Sequence, residues 1–200
     1  MYFDGFATSG RLGMSKDKII ASALARFANQ GYYHTSLAEI AEDVGIRKPS
    51  IYAHFSSKEA IFLSLLQEAF TREQAALALF ATAHPSRQLL HQYFVDIPLR
   101  YEVNGYLRFW IRALYMPPYD LEKEIKDYDD KYSKMIDTTI DTVLRRIEDE
   151  NGLLRPKIEV ADAFTGLLRG IHAELLYKGP QEAIRKARGM WGIFELVFSK

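Results

Sequence analysis

The sequence of 200 residues contains no cysteine. This absence excludes a disulfide framework and a thiolate metal site, and it fits a reducing compartment, so we expect a cytoplasmic protein. No apolar run reaches the roughly 18 residues that a membrane span needs, so we expect no contact with a membrane. Strand signals are scarce as well, because alternation of apolar and polar residues at period 2 is not sustained.

A surplus of charge of either sign is also missing, since 26 Lys and Arg residues balance 26 Asp and Glu residues. Domains that bind nucleic acids are often strongly basic, so the overall charge does not favour that function. The charges balance within residues 1–70 as well. Any argument for DNA binding must therefore depend on where individual charged side chains lie.

Apolar residues recur at helical spacing along nearly the whole chain, which predicts an all-α protein of about nine helices. Residues 1–14 are predicted to be a flexible arm or non-native residues. Residues 15–70 are predicted to be a small domain of three helices, followed by a larger helical domain over residues 71–200. The boundary is expected within the fourth helix, near Phe70.

Residues 36–55 have the pattern of a helix-turn-helix motif. Ser36 and Glu39 have the spacing of a capping box, and Gly45 permits the positive φ that a tight reversal requires. A third helix is predicted to begin near Lys48 and to bury Ile51 and Phe55. Its other face would present a set of small and basic side chains, namely Arg47, Lys48, Ser50, Ala53 and His54. Such a helix fits a DNA major groove, which is about 12 Å wide.

The stretch from Lys18 to Phe70 resembles the DNA-binding region of the tetracycline-repressor (TetR) family. The resemblance rests on an ordered set of short matches over about a quarter of the chain. These are Ile19-Ile20 through Phe27, Gly31-Tyr32, Thr35-Ser36-Leu37, Glu39-Ile40-Ala41, Val44-Gly45-Ile46, Ile51-Tyr52, His54-Phe55 and Ser57-Lys58-Glu59-Ala60-Ile61. The family implies an N-terminal helix-turn-helix DNA-binding domain and a larger ligand-binding and dimerisation domain.

The resemblance also implies roles for individual residues in a complex with double-stranded DNA. Base edges would be contacted by Lys48, Pro49, Ser50 and Ala53, and phosphates by Thr35, Tyr52, His54 and Lys58. Arg47 departs from the family, which has a small hydroxyl residue at this position. The exchange gives up a helix N-cap worth about 0.5–2 kcal/mol and gains a guanidinium that can bind guanine or phosphate. The alternative is that Arg47 and Lys48 are solvated charges on an ordinary turn and that Tyr52 is half-buried packing.

Aromatic residues are dense between residues 92 and 116. By the resemblance, these helices and the long helix after them would enclose a pocket for a flat or apolar ligand. The predicted lining is Tyr101, Tyr106, Phe109, Trp110, Tyr132, Met135, Phe164 and His172. The alternative for each of these side chains is ordinary core packing.

The last two helices are predicted to pair with those of a second copy of the chain. Gly166 and Gly170 lie one turn apart and permit close helix approach, and the final helix carries an apolar stripe. The predicted interface therefore comprises Gly166, Gly170, Ile184, Ala187, Trp191 and Phe194. A monomer with a central final helix is the alternative. A two-fold dimer would place its recognition helices about 34–36 Å apart, which suits successive major grooves.

Together these patterns predict a homodimeric transcriptional repressor that leaves its operator when a small hydrophobic or aromatic effector binds. The effector would act by shifting the short helix near residues 106–116 and the fourth helix. We expect no cofactor and no enzymatic activity, since the histidines lack metal-binding spacing. The acidic residues 122–124 and 127–130 have the pattern of a solvated helix face. The rival interpretation is a helical interaction or structural protein whose helix-turn-helix no longer reads DNA.

Overall fold

The computed structural model describes residues 11–82, 86–151 and 153–198, and the side chains of 15–82, 86–148 and 153–198. These residues form nine α-helices, which confirms the predicted all-α fold. The helices are Arg11–Gln30 (α1), Leu37–Val44 (α2), Lys48–Ile51 (α3), Lys58–Thr82 (α4), Arg87–Val103 (α5), Gly105–Tyr115 (α6), Glu122–Asn151 (α7), Lys157–Tyr177 (α8) and Pro180–Phe194 (α9). Two short 3₁₀ helices follow Pro118 and Phe194, at Tyr119–Leu121 and Glu195–Val197.

The chain divides into two compact units, and the division falls inside α4, between Gln67 and Glu68. The first unit contains α1, α2, α3 and the beginning of α4. Helix α1 begins at Arg11, four residues before the start predicted for the small domain. The remainder of the predicted N-terminal arm, residues 1–10, lies outside the described residues. Within the described part of the chain, every helix is too short or too polar to cross a bilayer.

The second helix is held by the caps that the sequence predicts. The Ser36 hydroxyl accepts a hydrogen bond from the Glu39 N–H at 3.2 Å, and the Glu39 carboxylate accepts one from the Ser36 N–H at 2.7 Å. Gly45 ends the helix at φ 72°, and its N–H bonds back to the carbonyls of Ala41 and Glu42. Because this φ lies in the left-handed region, a side chain at position 45 would strain the reversal between α2 and α3.

The second unit has an aromatic core in which α9 packs against α5 and α8. Trp191 of α9 lies against His91 and Phe94 of α5, with ring centroids 4.9 and 6.4 Å apart. Phe194 contacts Phe164 of α8 at 5.5 Å. No β-strand occurs among the described residues, where a single antiparallel bridge joins Leu153 to Phe198.

This packing corrects most of the predicted dimer interface. Ala187, Trp191 and Phe194 are buried at 1%, 6% and 4% exposure in the chain's own core. Ile184 and Gly170 are half-buried, and a side chain added at Gly170 would meet the Met190 side chain of α9. The apolar stripe of α9 thus finds its burial partner within the same chain, whereas Gly166 faces open space.

A charged pair is buried between α4 and α5 in the second unit. The Glu73 carboxylate is 4% exposed and accepts a hydrogen bond at 2.8 Å from the Arg100 guanidinium, which is 25% exposed. Burial raises the pKa of Glu73, and the charge of Arg100 opposes that rise. The phenols of Tyr93 and Tyr132 are hydrogen-bonded to each other nearby, and burial raises both of their pKa values. This network joins α4, α5 and α7.

Candidate nucleic-acid interface

Helix α3 occupies only the first part of the predicted recognition segment. The helix covers Lys48–Ile51, and residues 52–54 continue as turns. The N–H groups of His54 and Phe55 both bond to the Ile51 carbonyl at 2.9 Å, so the chain still makes one further turn. Ile51 and Phe55 are therefore both buried, as the sequence predicts, although the regular helix is shorter than expected.

The opposite side of this segment faces solvent. Arg47, Lys48, Pro49 and Ser50 are all exposed, and so is Ala53. Tyr52 exposes 52% of its surface, and His54 is half-buried. The structure thus gathers most of the predicted DNA-contacting residues on one exposed segment of some eight residues. The set has the composition of a DNA-reading surface, since it combines two cations with a hydroxyl and a small apolar residue.

An ion-pair cluster engages Glu39 and Asp43, two of the three acidic residues of α2. The Arg26 guanidinium from α1 donates two hydrogen bonds to the Asp43 carboxylate, at 2.7 and 2.8 Å, and one to Glu39 at 2.9 Å. Ser22 donates a further bond to Asp43. The bonds from Arg26 and Ser22 hold the pKa of Asp43 well below its usual range. Arg26 therefore offsets part of the negative charge of two carboxylates that would repel a phosphate backbone.

Thr35 is not available for the phosphate contact that the family resemblance implies. It is 2% exposed, and its hydroxyl donates a hydrogen bond to the Gly31 carbonyl at 2.9 Å. The same hydroxyl accepts a bond from Gln30 at 3.3 Å. Its side chain instead fixes the link between α1 and α2, which corrects the sequence prediction. The pattern alone did not show that this hydroxyl has partners within the link.

Lys58 is the first residue of α4, and its ammonium turns towards the same link. The ammonium donates hydrogen bonds to the carbonyls of Tyr32 and Thr35, both at 2.9 Å, and lies 4.0 Å from the centre of the Tyr32 ring. Partial burial lowers the pKa of Lys58, and the charge of Glu39 opposes that shift. The dipole of α4 disfavours a cation at its first residue. The hydrogen bonds to these two carbonyls explain why a lysine lies there nevertheless. A phosphate contact by Lys58 stays a prediction.

We expect Lys58→Met to destabilise the protein by about 1–3 kcal/mol, because the unbranched apolar side chain fills most of the space but leaves two carbonyls without their donor. Urea unfolding measures this difference. Lys48→Met is the matched control, since Lys48 is exposed and its loss should change the free energy of unfolding by less than about 0.5 kcal/mol. Equal stabilities for the two variants would show that the Lys58 ammonium does not hold the link.

Arg47 lies at the N-cap of α3 with extended dihedral angles, φ −80° and ψ 144°, but its side chain makes no capping hydrogen bond. We therefore expect Arg47→Ser to stabilise the fold by about 0.5–1 kcal/mol through the new cap while weakening DNA binding. Thermal unfolding and a DNA titration measure the two effects. Arg47→Ala should weaken DNA binding without raising stability. A serine variant that binds DNA as tightly as the native chain would contradict a role for Arg47.

A cavity of about 240 Å³ opens among α6, α7 and α8 in the second unit. Of the residues predicted to line a ligand pocket, Tyr132 and His172 do line it. The prediction is wrong for Phe109, Trp110 and Phe164, whose exposures of 0–1% place them in the solid core. The half-buried Tyr101, Tyr106 and Met135 also lie outside the lining.

The remaining lining residues were missed by the sequence argument. They are Leu114, Tyr115, Asp129, Ser133, Ile136, Asp137, Asp162, Thr165, Leu168 and Arg169. Asp129 belongs to the acidic run that was predicted to be a solvated face, yet it is half-buried. A usable signal was present, because Asp129, Ser133 and Asp137 recur every four residues on α7 and hence share one face. Among the described side chains, no group of three or more His, Asp or Glu is arranged to hold a metal ion.

Comparison with known proteins connects this geometry to a family. Residues 19–65 match the model described as bacterial regulatory proteins, tetR family. The biofilm operon icaADBC HTH-type negative transcriptional regulator IcaR of Staphylococcus epidermidis is 30% identical over 125 residues, which are 60% of this chain and 50% of that protein. This chain thus spans half the length of that relative.

Solved structures share the fold over nearly the whole chain. A TetR-family regulator from Agrobacterium tumefaciens has a TM-score of 0.72 at 18% identity, covering 94% of this chain and 99% of that one. FadR from Bacillus subtilis, solved in complex with stearoyl-CoA, has a TM-score of 0.66 at 16% identity and covers 89% and 96%. Residues 19–65 thus resemble the DNA-binding module of the tetR family, and the nine-helix fold of the described residues is similar to that of the TetR-family regulator from Agrobacterium tumefaciens.

Proposed function

We propose that this protein is a transcriptional repressor that binds an operator through α3 and the turns after it. The observation that carries the proposal is the exposed face of residues 47–54, which is held rigidly by the burial of Ile51 and Phe55. Arg47 and Lys48 supply positive charge, and Ser50 supplies a hydroxyl for base edges. Repression is favoured over activation because the staphylococcal relative is named a negative regulator.

We further propose that a small-molecule effector releases the protein from its operator. The cavity lined by Tyr132 and His172 supports this, as does the ligand named for the FadR structure. Effector and DNA need only prefer different states of the protein for this regulation to work. Their affinities are then reciprocally linked, so DNA must weaken effector binding by the same factor by which the effector weakens DNA binding.

A binding titration tests the proposal directly. A labelled duplex from the region upstream of the protein's own coding sequence is compared with a scrambled duplex of the same length and composition. A specific regulator should prefer the upstream duplex by at least about 1,000-fold at physiological salt. Equal affinity for the two duplexes, or no binding to either, would favour a helical interaction protein over a regulator.

We propose that a second copy of the chain covers the outward face of α8 and α9. Ile193 and Leu196 are 73% and 68% exposed there. Gly166, Gly189 and Gly192 have open space where a side chain would stand, so another helix can approach closely. This face replaces most of the residues predicted from the sequence and suits a self-complementary two-fold contact.

Ile193→Asp should convert a dimer into a monomer, because the carboxylate would be buried without a partner at the contact. Light scattering after size-exclusion chromatography measures the mass. Leu79→Asp is the matched control, since Leu79 is also 73% exposed but lies on α4. A native monomer, or an Ile193→Asp variant that remains dimeric, would refute the proposed contact.

A further inference from the structure

The lysines and arginines of the first unit differ in what their side chains contact. Arg26 forms ion pairs with α2, and the Lys58 ammonium is bonded to two backbone carbonyls. The others whose side chains are described form no ion pair with a described residue, and they are Lys16, Lys18, Arg47 and Lys48. Arg47 and Lys48 already belong to the proposed DNA-binding surface, which leaves the two lysines of α1 without an assigned role.

Lys16 lies on the side of α1 that packs inward. It precedes the fully buried Ile19 and Ala23 by three and seven positions, a spacing that puts all three residues on one helix face. The Lys16 side chain itself is exposed, and its ammonium lies 5.5 Å from the centre of the Phe55 ring. Lys18 is two positions farther along, which is roughly 200° around the helix, so it lies on the opposite side of α1.

Phe55 ends the recognition segment, residues 47–55, which begins at Arg47. Eight residues of helix advance roughly 12 Å, and a major groove is about 12 Å wide. The segment can therefore reach from one phosphate backbone to the other across the groove. Arg47 supplies positive charge at its beginning, whereas residues 49–57 contain no lysine or arginine. Lys16 places a cation at the other end, from a different helix.

We propose that Lys16 binds a DNA phosphate at the Phe55 end of the recognition segment, across the groove from Arg47. The Phe55 ring holds the ammonium there by cation–π attraction, and the exposure of the side chain leaves the ammonium open to a phosphate. Such a contact fixes the position of the protein on the duplex and carries no sequence information. The inference rests on the proposed function, since it adds a contact to the same surface.

Fluorescence anisotropy of the full-length protein with two labelled duplexes, the upstream duplex and its scrambled counterpart, tests the proposal. Lys16→Met should weaken binding to both by about five- to tenfold at 0.1 M salt, because one counterion fewer is released. The logarithm of the association constant should fall less steeply with the logarithm of salt concentration, with a slope shallower by about 0.9. The preference for the upstream duplex should not change. Lys18→Met removes the same charge from the opposite side of α1 and should keep the native affinity and slope.

Two further measurements distinguish a phosphate contact from a lysine that only covers the Phe55 ring. Methionine has a side chain of similar length, and a thioether packs well on an aromatic ring, so urea unfolding of Lys16→Met should match that of the native protein. Lys16→Arg keeps the charge and should keep the native affinity and slope. A Lys16→Arg variant that loses as much affinity as Lys16→Met would overturn the proposal.

The two duplexes also separate this inference from the proposed function. Specific binding of the upstream duplex, with an unchanged slope in Lys16→Met, would overturn the phosphate contact and leave the regulator intact. Equal affinity of the native protein for both duplexes would refute the regulator, and a shallower slope in Lys16→Met would then still support the contact. No binding to either duplex would overturn both.

Discussion

The double variant Arg47→Ala with Lys48→Ala should lose at least about 30-fold in affinity for the operator. Both side chains are exposed at the start of α3, and each contact to a base or phosphate is worth about 1–3 kcal/mol. The fold should survive, since neither side chain is buried and neither makes an ion pair with a described residue. Fluorescence anisotropy with a labelled operator duplex measures the loss.

The matched control for this variant removes two exposed lysines of the second unit, Lys123→Ala with Lys126→Ala. Both lie on α7, so the change in net charge is identical while the first unit is untouched. The control should bind operator within about threefold of the native protein. If the two double variants lose affinity equally, net charge rather than the α3 surface determines DNA binding.

Arg100→Leu should destabilise the protein by about 3 kcal/mol at pH 8, because it leaves the Glu73 carboxylate buried without its partner. The loss should shrink as the pH falls. Burial raises the pKa of Glu73, and removal of Arg100 raises it further. As the pH falls, Glu73 therefore takes up a proton in the folded variant at a higher pH than in the unfolded chain, which stabilises the folded variant. The stability lost by the variant therefore grows as pH rises above the usual value for glutamate.

Urea unfolding at pH 5 and pH 8 checks this prediction, with Arg145→Leu as the control. The pair between Arg145 and Asp141 is exposed, with Arg145 at 68%, so its removal should cost less than about 1 kcal/mol at either pH. Similar losses for the two variants, or a loss from Arg100→Leu that does not change with pH, would show that Glu73 is not held as a buried charge.

Local chemistry explains why the first unit was largely predictable from its sequence. The capping box of Ser36 and Glu39, the left-handed Gly45 and the buried pair of Ile51 and Phe55 each depend on residues close in sequence. The prediction for Thr35 was wrong because its hydroxyl is bonded to the Gly31 carbonyl and to Gln30, and residue spacing does not reveal these contacts. Lys58 reaches carbonyls 23 and 26 residues away, which no local pattern reveals.

The second unit was less predictable, because helical periodicity shows which face is apolar but not what covers it. Trp191 and Phe194 were assigned to a partner chain, yet α5 and α8 bury them. Trp110 and Phe109 were assigned to a ligand, yet they fill the core. The cavity itself is lined by polar residues of α7 and α8 that come together only when those two helices pack.

The salt dependence of operator affinity tests the central claim most directly. If Arg47, Lys48 and neighbouring groups neutralise phosphates, the logarithm of the association constant should fall linearly with the logarithm of salt concentration, with a slope of about −0.9 for each phosphate contacted. The Arg47→Ala and Lys48→Ala double variant should have a slope shallower by about 1 to 2. An affinity that does not change with salt, or an unchanged slope in the variant, would contradict DNA binding through this surface.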